Sequence, residues 1–169
     1  MGGERLRPAT VALVFFVAAP GTLAGWVPWA LTSWRLAPAF FGWGGSRAAG
    51  LLLIGVGFLV LAECFVRFVA EGRGTPAPPL PTDRLIVSGS YRYLRNPMYL
   101  AVVGMILGQA LLLGSTTLLW YGLVVGFGFH LFVLGYEEPT LRSRYGSQYE
   151  AYCRNVRRWS PRLAAWRSS

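Results

Sequence analysis

The sequence predicts an all-α integral membrane protein, a bundle of about four transmembrane helices with a C-terminal amphipathic helix on the cytosolic face. Three observations carry this. Hydrophobic residues make up 54% of the 169-residue chain and charged residues only 14%, against roughly 25% charged in soluble domains. An interior of this size cannot hide so much apolar surface, so part of it must face lipid. Four apolar stretches are separated by turn-forming or polar segments, and all sixteen basic residues are arginines that flank those stretches.

The first stretch follows Arg5 and Arg7 and runs from about Ala9 to Trp34, interrupted by Pro20-Gly21 and Pro28. It continues past a usual signal-peptide cleavage point, which predicts a retained helix. The second runs from Ala48 to Ala70, the third from Met98 to Leu113 and the fourth from Thr116 to Tyr136. About 20 helical residues cross a hydrocarbon core of about 30 Å. The second and fourth reach that length, whereas the third is short and draws on its flanks. Gly114-Ser115 alone separates the third and fourth, which predicts a tight antiparallel hairpin.

Orientation follows from the arginines. With four spans, the N-terminus, the loop between spans two and three, and the tail share one side, and only Arg35 and Arg47 lie on the other. The positive-inside rule places both termini in the cytoplasm and the protein in the cell (inner) membrane. Because the arginines flank spans, their partners are membrane lipids and not nucleic acid. Cys64 and Cys153 have neither CxxC nor histidine spacing, so they predict apolar packing and no metal site.

The chain is expected to be one membrane domain over 1–169, with two helices in 1–70 and a distinct second half over 86–161. Between them, Thr75 to Pro81 is proline-rich and reads as a stiff, extended connector. In the tail, Leu141, Tyr145, Tyr149, Tyr152, Val156 and Trp159 recur every three or four residues, one face of an amphipathic helix. Such a helix either lies on the membrane surface or covers a cytosolic pocket.

Chemistry is expected at two cytosolic edges. In Gly89 to Leu100, Pro97 opens a helix, and the residues before it offer free backbone donors beside Arg92 and Arg95. That is either an anion seat or an interfacial anchor. Glu137 and Glu138, at the end of span four, need a cation nearby, supplied either by arginines or by a ligand ammonium. The hairpin brings the two edges together, an arrangement suited to a zwitterion. Deeper in the membrane, Glu63 and Arg67 are spaced to pair, Gln109 to bond another helix, and His130 to pack.

The run from Tyr91 to Tyr99 (Tyr-Arg-Tyr-Leu-Arg-Asn-Pro-Met-Tyr) resembles the motif that opens the catalytic half of membrane isoprenylcysteine carboxyl methyltransferases. It is equally similar to the Asn-Pro-Met-Tyr version of phospholipid methyltransferases. The Glu137-Glu138 pair and the closing pattern Leu141…Tyr145-Gly146…Tyr149…Tyr152…Arg158…Pro161 continue the resemblance in the same order. It implies S-adenosyl-L-methionine as cofactor, bound by Tyr91, Arg95, Asn96, Pro97, Tyr99, Glu137, Glu138 and Arg158, with Arg154 a further candidate. It implies a lipid, prenylated or other small hydrophobic acceptor bearing a carboxylate, amine or thiol. Asn96 stands where the carboxyl methyltransferases usually carry histidine, and Ala101 where glycine is common. No residue is assigned as catalytic, and neither the acceptor nor the oligomeric state is readable from the chain. The alternatives are an NADPH-dependent membrane reductase and a non-catalytic helical scaffold or transport subunit.

Overall fold

A computed structural model describes Val14, residues 18–71 and residues 85–166, and among these every regular element is helical. A π-helical turn at Thr22–Trp26 leads into α1 (Val27–Thr32), followed by α2 (Gly45–Glu71), α3 (Pro97–Leu113) and α4 (Thr116–Phe132). A second π-turn at Val133–Glu137 joins α4 to α5 (Glu138–Tyr145), and α6 covers Ser147–Asn155. A 3-10 turn at Gly89–Arg92 precedes α3. The proline-rich connector and the start of the first stretch lie outside the described residues.

Among the described residues, two helices are long and apolar enough to cross a membrane, Gly45–Phe68 and the continuous run Thr116–Tyr145, and α3 is a shorter apolar helix. Leu52, Leu59 and Val66 on α2, and Leu123, Val124 and Phe127 on α4, are exposed. In water that surface would be costly; in lipid it is the expected one.

The helices fold into two compact units. One unites Ala62–Pro97 with the chain from His130 onward, and the other joins Val17–Leu61 to Met98–Phe129. The second, here the apolar unit, packs α2 on α3 closely. A Cβ added to Gly57 would lie 2.8 Å from the Ala101 carbonyl oxygen, so glycine is required at that contact. Gln109 Nε2 donates to the Ala24 carbonyl oxygen at 2.7 Å, which is the interhelical bond expected of it.

The two π-turns share one cause. In each, five π-helical residues and one further residue precede a proline, Pro28 in the first and Pro139 in the second. Proline carries no N–H, so the carbonyls of the turn before it lose their helical donor, and a π-turn is the local adjustment that lets the helix continue. In the first turn the carbonyls of Leu23 and Ala24 receive side-chain donors instead, Tyr121 Oη at 2.9 Å and Gln109 Nε2 at 2.7 Å. Pro28 thus does not interrupt the first helix, which corrects that expectation, and the helix carrying the fourth apolar stretch continues past Tyr136 to Tyr145.

The tail is also corrected. A single amphipathic helix through Trp159 is not formed, because Gly146, at φ +50° and ψ −125°, breaks it, and α6 ends at Asn155. That backbone conformation is one glycine tolerates and other residues rarely adopt. The apolar stripe survives the break. Tyr149, Tyr152 and Val156 form a buried cluster with Leu141, Tyr145, Leu85, Val87 and Trp166 around it.

Gln109→Leu should strand the Ala24 carbonyl and cost about 1 kcal/mol. Adding Pro28→Ala returns a backbone donor to that turn and should recover most of the loss, read as the melting temperature in detergent of the single and double variants.

Candidate functional site

The charged unit is organised around one carboxylate. Glu138, at the start of α5, has only 6% of its side chain exposed and is held by three arginines. Arg158 from the tail bonds it with two nitrogens, Nε to Oε1 at 2.6 Å and Nη2 to Oε2 at 3.0 Å. Arg95 Nη1 lies 3.2 Å from Oε1, and Arg142, one turn along the same helix, is 3.8 Å away and largely exposed. A carboxylate taken this far from water is strongly unfavourable unless cations surround it. Here the bidentate arginine fork supplies the strongest of those contacts.

The loop before α3 and the tail are laced together antiparallel. Arg95 N–H donates to the Arg157 carbonyl at 3.0 Å, Arg162 N–H to that of Tyr93 at 2.9 Å, and Trp166 N–H to that of Arg92 at 3.1 Å. Arg92 Nε returns a bond to the Trp166 carbonyl at 2.7 Å. Asn96 Nδ2 donates to the Arg158 carbonyl at 3.3 Å, and Tyr152 Oη to that of Tyr91 at 2.6 Å. Burial pushes the Tyr91 and Tyr152 phenols well above the ordinary tyrosine range, so both remain protonated at neutral pH and Tyr152 keeps its donor.

Trp159 Nε1 donates to His130 Nδ1 at 3.0 Å. An indole nitrogen can only donate, so the imidazole nitrogen it meets carries the lone pair and the ring proton belongs on Nε2. His130 is therefore a packed, hydrogen-bonded residue, as expected. Arg67 pairs with Glu63 on α2 and bonds Glu71 at 2.7 Å, while Ser90 N–H reaches Glu63 Oε2 at 3.4 Å.

Of the eight residues singled out from the sequence, Arg95, Asn96, Glu138 and Arg158 are joined in this one network. Tyr91 and Pro97 are buried beside it in sequence, and Glu137 is half-buried next to Glu138. Tyr99 belongs to the apolar unit, where its ring centroid lies 4.6 Å from that of Phe129. The Arg95 backbone N–H, expected to be free for an anion, is instead taken by the tail. The Arg95 side chain retains one unused donor, because its Nε is buried with no hydrogen-bond partner. Cys153 was missed as a neighbour: Arg95 Nη1 also lies 2.7 Å from its Sγ.

A match to the phospholipid methyltransferase family covers residues 46–148, well over half of the chain. The chain belongs to that family. The resemblance read from Asn96-Pro97-Met98-Tyr99 is thus borne out, and with it methyl transfer to lipid-like substrates as the family's activity. No curated protein and no solved structure matches the chain. The family match ends before Arg158, and the pairing of that tail residue with Glu138 rests on the geometry of this chain.

Glu138→Gln should destabilise the protein by about 3 kcal/mol, since it leaves a mostly buried arginine without its counter-charge. Arg142→Ala should cost under about 1 kcal/mol, because that arginine is exposed and distant. Thermal unfolding of the two variants in one detergent checks the ranking.

Proposed function

We propose that the protein is an integral membrane enzyme that transfers a methyl group from S-adenosyl-L-methionine to a lipid-like acceptor at the cytosolic face. Family membership supports methyl transfer. The observation that carries the cofactor is the orphaned Arg95 Nε beside the buried Glu138 carboxylate. A buried donor without a partner is costly to keep, and here it lies next to an acidic group. That pair of charges fits a ligand carrying both a carboxylate and an ammonium, the amino-acid end of the cofactor.

When bound, the cofactor supplies a methyl group on a positively charged sulfur. In this reading Arg95 and Arg158 hold its carboxylate, while Glu137 and Glu138 hold its ammonium. Tyr91, Asn96 and Pro97 shape the surrounding wall, and Asn96 also fastens the tail through the Arg158 carbonyl. Positioning and exclusion of water do the rest, since charge disperses as the methyl moves and an apolar setting favours that dispersal. A carboxylate or thiolate acceptor needs no base; an amine must first lose its proton. The acceptor enters sideways from lipid. The chain carries four spans, and both its termini are cytoplasmic.

Titrating purified protein with S-adenosylhomocysteine in a calorimeter should give saturable binding, and NADPH none; absence of the first would sink the proposal. Arg95→Gln should weaken that binding at least about tenfold, the worth of one charge-assisted contact. For topology, Cys64 is buried and Cys153 partly exposed. An impermeant maleimide should therefore label inverted vesicles and spare right-side-out ones, and the reverse pattern would overturn the orientation.

A further inference from the structure

The apolar unit carries a feature that methyl transfer does not use. Five of the protein's seven tryptophans belong to it, and all five are exposed: Trp26, Trp29, Trp34, Trp43 and Trp120. The other two, Trp159 and Trp166, are packed within the charged unit. Among the described residues, none of the five indole nitrogens donates to the protein. Each ring thus shows an apolar body and an unused polar edge.

These tryptophans gather at one end of the unit. The segment between α1 and α2 folds onto the Gly114-Ser115 turn. Ala37 N–H donates to the Leu113 carbonyl at 2.8 Å, Arg47 Nη2 to the Ala37 carbonyl at 3.0 Å, and Pro38 lies against Gly114. Trp34 and Trp43 are on that segment. Trp29 and Trp26 are one and two turns back along the first helix, and Trp120 is just over one turn into α4. At about 1.5 Å per residue this set covers about 10 Å of helix length, the scale of one headgroup layer between the hydrocarbon core and water.

Charge selects the partner. The sequence has no acidic residue from 5 to 62 or from 84 to 136, so Arg35 and Arg47 stand in a unit without a carboxylate. Arg47 Nε is also buried with no hydrogen-bond partner. Arginine beside exposed indoles, with no acid, complements the phosphates and ester carbonyls of a phospholipid interface. The short α3 adds a reason for anchoring here. Its 17 residues span only about 25 Å, less than a hydrocarbon core of about 30 Å, so the turn end must be fixed in depth or the bilayer must thin around it.

We infer that residues 26–47 and the start of α4 form an aromatic and arginine girdle that binds the phospholipid headgroup layer and sets the depth of the Gly114-Ser115 turn.

The full chain, reconstituted in phosphatidylcholine vesicles, tests this through tryptophan emission. Lipids brominated near the headgroup, at carbons 6 and 7, should quench at least about twofold more than lipids brominated at carbons 11 and 12. Trp34→Phe/Trp43→Phe/Trp120→Phe should lose most of that difference, and the single replacements Trp34→Phe and Trp120→Phe should each lose part of it. Aqueous acrylamide should quench the same emission weakly. Stronger quenching by acrylamide than by either lipid places the segment in water and overturns the girdle. Emission untouched by both places it under a protein partner and does the same.

Discussion

The charged unit depends on the burial of one carboxylate. Glu138 sits where an apolar helix run leaves off, and at 6% side-chain exposure it has almost no water of its own. A charge in that position is tolerable only with cations in contact. The contacts come from three separate stretches of chain: Arg95 before α3, Arg142 in α5 and Arg158 in the tail. Drawing Arg158 inward fixes its neighbours too. The carbonyls of Arg157 and Arg158 meet the loop before α3, and Trp159 meets His130. These bonds give polar groups of the tail partners within the protein.

Much of this was legible because it rests on local rules. The two helices of membrane-crossing length follow from apolar run length, the turn from Gly114-Ser115, and the pairing of Glu63 with Arg67 from a spacing of four. What was not legible depends on contacts distant in sequence. The stripe from Leu141 to Trp159 has a helical period, yet one glycine at positive φ breaks the helix while the same side chains still share a cluster. Periodicity reports a common face, and that face can be assembled from two helices as readily as from one. The antiparallel lacing of residues 92–95 onto 157–166 has no pattern to announce it, since backbone bonds leave no trace in residue type.

Proline misleads for a related reason. Pro28 predicts an interruption of the first stretch, because proline removes a helical donor, and the fourth stretch is expected to end at Tyr136, three residues before Pro139. The helices pass through both by widening the turn before the ring. At Pro28 the freed carbonyls find Gln109 and Tyr121, two polar side chains in largely apolar helices. The sequence did hold that signal. A polar residue deep in a span needs a partner, and a proline on a neighbouring helix creates acceptors of the required kind.

An ion pair already formed at Glu138 is compatible with a zwitterionic ligand there. Glu138 faces three arginines, so a lone cation entering this cluster would add to an excess of positive charge, which costs several kcal/mol where water is scarce. A carboxylate and an ammonium on the same small molecule leave the charge count unchanged: one pairs with an arginine, the other with an acid, and the original pair separates without either member losing a partner. The orphaned Arg95 Nε then gains an acceptor that the resting arrangement lacks. A network held together by Arg158 would thus exchange partners instead of losing them, and the tail that carries Arg158 would be tied to the same charge balance as the ligand.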